Sequence, residues 1–330
     1  MDWIAEAHGQ RFLARPYSAG DNDGVLNLWK TVFHKDMDLG TWRWKYLENP
    51  YGHRIFLCAA DDGAIVALYG GIPYRFNLDG EDVEIIHLMD LMSHPDYRGK
   101  GLFVRTGHAF FDAYCKKEGA SFLFGFPGAH HFQLGQKYLG YETVKAGCVF
   151  LVAETAALAK RKKSFGGKIQ PLSTDHDTVD PIWEECRSHY PLSIIRDADF
   201  VRWRFDQHPS RKYEIWGWRP FARGGPRAYA VFQTQDDHAL LMDILASPAK
   251  SDAVDLVARV ASLFQKRGIQ QIHAWLPSNH FLAQGTISAG FHRAPEPTGI
   301  IPGLRLFDHS PSLDWISDHL YYTMADADLF

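Results

Sequence analysis

An internal repeat restricts the fold more than any other feature of this chain. Arg43-Trp44-Lys45-Tyr46, with Pro50 after it, returns as Arg202-Trp203-Arg204-Phe205 with Pro209. Leu88-Met89-Asp90 with Pro95 returns as Leu241-Met242-Asp243 with Pro248. Pro127, His130, Gly135, Gly140 and Tyr141 return as Pro277, His280, Gly285, Gly290 and Phe291. Upstream, Asp21, Asp23, Val25 and Trp29 match Asp175, Asp177, Val179 and Trp183. The four blocks keep their order while their offset drifts by a few residues, as loop insertions and deletions would produce. Units of about 150 residues are too long for a solenoid repeat, so the 330 residues read as a duplicated domain. The expected boundaries are a first domain over 1–152, a linker over 153–169, a second domain over 170–308 and a docked tail over 309–330.

Each copy reads as α/β (α+β) with a mixed sheet. In the first, Asp21 is placed to cap a helix whose apolar face is Val25, Leu28, Trp29, Val32 and Phe33. Ile55–Ala59 and Ile65–Gly70 read as strands around Asp61-Asp62-Gly63, and Ile72–Leu78 and Val83–Met92 as strands around Asp79-Gly80-Glu81. Leu102–Lys117 reads as a helix with Phe103, Phe110, Phe111 and Tyr114 inward, ended by Gly119. A strand at Phe122–Phe126 and a short helix before Gly140-Tyr141 complete the copy. Between copies, Lys160-Arg161-Lys162-Lys163 and Gly166-Gly167 read as a solvated linker. The tail carries Trp315, Leu320, Tyr321 and Tyr322, too aromatic for a free end.

Composition narrows the function. A formal net charge of -4 gives no field that would gather nucleic acid or an anionic membrane. Cys58, Cys115, Cys148 and Cys186 are too scattered for a metal-ligand motif and read as reduced thiols. No apolar stretch approaches the roughly 20 residues of a membrane span, and Met1–Phe12 lacks the apolar core of a signal peptide. A cytoplasmic protein without metal, nucleic acid or membrane partner is expected.

The chemistry-bearing motif follows the strand at Ile85–Met92. It runs Ser93-His94-Pro95-Asp96-Tyr97-Arg98-Gly99-Lys100-Gly101, and a helix starts at once. Glycines let successive amides converge on one point, the helix start leaves its first amides unpaired, and Arg98 and Lys100 add positive charge. Such a turn is an anion site that suits a pyrophosphate. This run resembles the coenzyme A pyrophosphate loop of GNAT N-acetyltransferases, with Arg98 and Gly101 matching and Phe103 in place of the usual last small residue. Phe126-Pro127 and Leu139-Gly140-Tyr141 are similar to later signatures of that superfamily. The resemblance covers Arg15–Val152 and, through the repeat, extends weakly over 170–308.

The second copy has Ala249-Lys250-Ser251-Asp252-Ala253 where the first has its glycines. With no glycine and an acid in place, that lobe is expected to have lost the cofactor, as in tandem GNAT proteins with a degenerate second lobe. The resemblance implies transfer of an acetyl or other acyl group from acyl-CoA to an amine, in a cleft shaped by both lobes. The acceptor classes are an amino sugar, an aminoglycoside, a polyamine or a peptide amine. It also implies that Leu91, Met92 and Ser93 bind the pantetheine arm, while Arg98, Gly99, Lys100, Gly101, Leu102 and Phe103 hold the diphosphate. Among catalytic candidates, His87 is either the base or a hydrogen-bonded core residue. Asp90 recurs as Asp243 in the lobe without the loop, which favours a structural role. Tyr138 is the nearest tyrosine to the family's proton donor, whose own position holds Gln136, and His130 and His131 lie where they can meet cofactor or acceptor. In relatives of the survival type the terminal carboxylate acts as base, which makes Phe330, with Asp326 and Asp328, a further candidate. The competing readings are a CoA-binding sensor without turnover and an aminoacyl or peptidyl transferase of the paired-lobe cell-wall type.

Overall fold

The computed structural model describes residues 3–7, 10–116, 121–161, 166–221, 224–248, 252–299 and 301–327. In chain order the strands are β1 (Trp3–Ala7), β2 (Gln10–Pro16), β3 (Arg54–Ala60), β4 (Ile65–Leu78), β5 (Glu81–Leu88), β6 (Met92–Ser93), β7 (Phe122–Gly125), β8 (Glu142–Thr143), β9 (Cys148–Glu154), β10 (Gly167–Pro171), β11 (Leu192–Ile194), β12 (Glu214–Pro220), β13 (Ala228–Thr234), β14 (His238–Leu245), β15 (Gln271–Pro277), β16 (His292–Ala294) and β17 (Gly303–Leu306). The helices are α1 (Asn22–Phe33), α2 (Leu39–Tyr46), α3 (Leu102–Phe110), α4 (Ala129–Tyr138), α5 (Thr155–Lys160), α6 (His176–Cys186), α7 (Ala198–Val201), α8 (Asp252–Lys266), α9 (Phe281–Ala289) and α10 (Leu313–His319).

Two compact units result. One comprises Met1–Arg75, Glu84–Val144 and Ile300–Leu313; the other comprises Phe76–Val83, Lys145–Gly299 and Asp314–Phe330. The first is built on a mixed sheet in the order β1-β2-β3-β4-β5-β7-β17-β8. Its strands are antiparallel up to β5, β7 then runs parallel to β5, and β17 is antiparallel to both β7 and β8. One face carries Tyr69, Ile86, Leu88 and Leu123 against Phe110 and Phe111 of the α3 segment and Phe132 of α4. That packing is why alternate residues of these strands are apolar on one side. The second unit has the order β10-β12-β13-β14-β15-β9-β16, again with one parallel pair, β14 and β15.

Several expectations are corrected. Ile65–Gly70 and Ile72–Leu78 are one strand, β4, which passes through Gly70-Gly71 without a turn. The strand from Val83 stops at Leu88, because Asp90 takes a left-handed conformation with φ 54°, and resumes as β6. Asp21 stands at the N-cap position of α1 but does not cap it. Its carboxylate accepts from Arg15 through both oxygens at 2.7 Å and from the Ser18 amide at 2.7 Å. Helix α3 gives way to a π-turn over Phe111–Lys116, and Lys117 and Gly119 lie outside the described residues.

The stretch read as a linker, 153–169, holds ordered elements where it is described. Ala153 and Glu154 end β9, α5 buries Thr155 and Leu158, and β10 starts at Gly167. Arg161 donates to the Ser288 carbonyl at 2.9 Å, while Lys162 and Lys163 lie outside the described residues. The last strand of each copy is also placed differently from its sequence position. β9 lies between β15 and β16 of the second sheet, whereas β17 lies between β7 and β8 of the first. Apolar patterning makes both segments strands but does not name their partners.

Candidate cofactor site

The site is organised by the place where β5 and β7 stop pairing. Their parallel ladder runs Ile86↔Leu123, His87↔Phe124 and Leu88↔Gly125, and ends there. Gly125 permits that close approach, since a Cβ on it would lie 2.8 Å from the Leu88 carbonyl oxygen. Beyond it the chain turns through Asp90, and β6 pairs antiparallel with β4 at Leu68↔Met92 and Ala67↔Ser93. Among the described residues β4 is the only strand that pairs with β6. Its other edge is where an extended amide-bearing arm would find backbone partners.

The loop after β6 has the geometry of an anion cradle. Gly99 and Gly101 both adopt left-handed conformations, with φ 76° and 73°, which glycine takes without strain. A Cβ on either would meet nothing within 4 Å, so the space over the turn is open. Gly101 is the N-cap of α3, and the first backbone bond of that helix runs from the Arg105 N–H to the Gly101 carbonyl at 3.1 Å. The amides of Leu102, Phe103 and Val104 precede that bond and have no partner inside the helix. Arg98 is exposed, with its Nε donating to the Ser93 carbonyl at 3.2 Å. Lys100 donates to Gln10 at 3.1 Å and lies 4.8 Å from the Tyr97 ring centroid. Leu102 is buried against Phe12 and Val66 of the sheet, which fixes the start of the helix.

Next to the loop, Phe103 meets His131 of α4 edge to face at 5.2 Å, and His131 lies 5.9 Å from the Tyr141 ring. Its Nε2 is buried with no hydrogen-bond partner among the described residues. Burial, reinforced by His130, lowers its pKa to about 4, so the ring is neutral at pH 7. Tyr141 shares a short hydrogen bond with the Tyr69 hydroxyl, and burial pushes both phenols up, keeping them uncharged.

The catalytic candidates separate. His87 is fully buried on the sheet face opposite α3, stacked on Phe124 at 4.4 Å and flanked by Phe126 and Tyr74. Asp90 is buried, and its Oδ2 accepts from Lys45 Nζ at 2.6 Å and Tyr46 Oη at 2.7 Å. It therefore joins the turn before β6 to α2. The signal for this pair was the repeat itself, which carries Lys45-Tyr46 in one block and Asp90 in another, but nothing in the sequence joins the blocks. Tyr138 is half exposed at the last turn of α4, about 14 Å along the helix from its first residue, with Lys137 over its ring. It is not brought to the end of the β5–β7 ladder. Phe330 and Asp328 lie outside the described residues. Asp326 is held elsewhere, in a buried ion pair with Arg196 at 2.5 Å.

In the second copy, residues 249–251 of the equivalent loop lie outside the described residues, and α8 opens on Asp252 with Asp255 in its first turn. Acids at a helix start repel an anion. No group of three or more metal-ligating side chains occurs among the described residues, and none of the described helices is long and apolar enough to cross a membrane.

Comparisons agree with this geometry. The family model of the acetyltransferase (GNAT) domain matches residues 14–144. A probable N-acyltransferase from Enterococcus faecalis V583 is similar in structure, with a TM-score of 0.69, 13% identity, and 90% of this chain and 73% of that chain covered. A GCN5-related N-acetyltransferase from Kribbella flavida gives a TM-score of 0.69 at 14% identity, over 91% of this chain and 72% of that one. The N-myristoyltransferase of Saccharomyces cerevisiae, solved with bound myristoyl-CoA, gives 0.57 at 12% identity, over 89% and 82%. No curated protein sequence matches the chain. Two mixed sheets and a repeat that spans them carry the fold, and the copy that holds the glycine loop is the one that matches the acetyltransferase (GNAT) domain, over residues 14–144.

Proposed function

We propose that the first unit takes acyl-CoA as co-substrate and passes its acyl group to an amine. The observation that carries this is the left-handed pair Gly99 and Gly101 opening α3 directly after the free edge of β6. In this reading the amides of Leu102, Phe103 and Val104, with Arg98 and Lys100, hold the diphosphate. Leu91, Met92 and Ser93 pair with the pantetheine arm, and the Met92 amide faces the thioester oxygen, where negative charge develops. His131 offers its neutral ring to the arm. The co-substrate supplies an activated acyl group; the protein supplies alignment, an amide donor and a base.

An alkyl ammonium of pKa about 10 must lose a proton before it attacks. His87, in the next-to-last pair of the β5–β7 ladder, is the proposed base. Asp90, held by Lys45 and Tyr46, is proposed to position the turn. The carboxylate of Phe330 is the rival base. Deleting Leu329 and Phe330 distinguishes the two, since His87 as base leaves kcat unchanged and a terminal carboxylate as base abolishes turnover. The acceptor is an amino sugar, an aminoglycoside, a polyamine or a peptide amine.

The deciding experiment is calorimetry with acetyl-CoA and longer acyl-CoAs on wild type, Gly99→Val and Gly101→Val, then thiol release with an amine panel. Binding lost in both variants is expected. Binding that survives both, or none in wild type, ends the proposal. Binding without thiol release for any amine favours the sensor reading.

A further inference from the structure

The repeat allows the two units to be compared residue by residue at the place where their parallel strands part. In the second unit the ladder runs Ala239↔Ile272, Leu240↔His273 and Leu241↔Ala274, and it stops there. Ala239, Leu240 and Leu241 are the repeat equivalents of Ile86, His87 and Leu88, whose ladder with β7 likewise stops at the last of them; on the partner strand the register is one residue off the repeat, since Gly125 corresponds to Trp275. Both copies therefore open at the same point. The residues that follow in the second copy, Ile244, Leu245 and Ala246, are equivalent to Leu91, Met92 and Ser93.

In the second copy this opening is filled. The Tyr321 hydroxyl donates to the Ile244 carbonyl at 2.5 Å. The Tyr190 hydroxyl donates to the Ala246 carbonyl at 2.8 Å and accepts from the Ala246 amide at 3.1 Å. Tyr322 packs on Trp275, the first residue of β15 beyond the ladder, with ring centroids 5.6 Å apart. Tyr321 packs between Tyr190 at 4.8 Å and His280, the N-cap of α9, at 4.5 Å. Thr323 donates to Asp243 at 3.0 Å, and Asp326 pairs with Arg196, which also lies 3.5 Å from Asp243. Burial works against the Arg196 charge, but Asp326 and Asp243 outweigh it and hold the guanidinium protonated. Every residue from Leu320 to Ala327 is buried.

We propose that the second copy has kept its arm-binding cleft and that the tail segment Leu320–Ala327 is its permanent ligand. Backbone groups equivalent to those assigned to the pantetheine arm would be buried and unpaired in an empty cleft, which is costly. Phenol hydroxyls satisfy them instead. The aromatic rings supply the apolar contact that an arm would have made, and the Arg196–Asp326 pair fastens the end. This explains how a lobe with no phosphate loop keeps a parted sheet closed to water. Only the comparison with the first copy rests on the acyl-CoA reading; the occupancy of the cleft does not.

The test leaves the cofactor aside. A protease site is inserted in the exposed turn at Asp308–His309 of the full chain, and the folded protein is cut. The fragment carrying 309–330 is expected to stay with the body through native size exclusion. It should be lost at least tenfold faster from the Tyr321→Phe/Thr323→Val variant. A synthetic peptide of residues 320–330 should then rebind the stripped body one to one, while a scrambled peptide should not. Escape of the wild-type fragment from a body that stays folded overturns the proposal. So does an uncut Tyr321→Phe/Thr323→Val protein that melts within 1 °C of wild type. Acyl-CoA uptake on the same samples bears on the first unit alone.

Discussion

Lys45 and Asp90 form a nearly dry ion pair, with side chains 11% and 4% exposed. Breaking such a pair from one side strands the other charge, at a cost of about 3–5 kcal/mol. Asp90→Asn should therefore cost several times more stability than Lys45→Met/Asp90→Asn, as read by denaturant unfolding. If the double variant is the less stable, the pair is not what anchors the turn. Two histidines add a pH dependence. Burial lowers His131 to about 4, and burial, then the Arg196 charge, lowers His280 to about 3, both from an ordinary 6.5. Between those limits the unfolded chain binds protons that the folded chain refuses, so stability rises with pH there. It is complete above pH 6.5 and falls as pH drops towards 4, by on the order of 3 kcal/mol for His131 alone. Melting curves at pH 7.5 and 5.0 should show the loss, and His131→Phe should reduce it.

Helices were legible as elements because a stripe at three and four spacing needs only one buried face; α1 buries Val25 and Leu28 of its stripe, while Phe33, read onto the same face, is exposed. The glycine loop was legible too, since its backbone demands are written in its residue types. Strand partners were not. Gly70-Gly71 looks like a turn in sequence, yet Gly71 serves close approach: a Cβ there would stand 2.1 Å from the His87 carbonyl oxygen. The clash is with backbone in a paired strand, which cannot swing aside. Gly71→Ala should lower the melting temperature by more than 10 °C, and a smaller change would show that β4 and β5 can spread. Tyr190 and Tyr321 were illegible for a related reason. Their hydroxyls meet backbone carbonyls more than 50 residues away, and no local pattern marks a side chain that binds backbone.

At the scale of the molecule, duplication did not leave two self-contained halves. The first sheet has β17 hydrogen-bonded on β7 at Gly303↔Gly125 through Leu306↔Phe122, and the second has β9 on β15 along seven pairs from Gln271↔Glu154 to Pro277↔Cys148. A fragment of residues 1–152 should aggregate, because it exposes the β7 edge and carries an unpartnered apolar strand. Residues 1–144 linked to 300–313 should be far better behaved and should keep any acyl-CoA binding. Equal behaviour of the two in size exclusion would mean that β17 is dispensable. During synthesis the consequence is one of timing. The lobe made first cannot seal its sheet until residues 303–306 have left the ribosome, so it must wait, half built, while residues 145–299 of its neighbour are being translated.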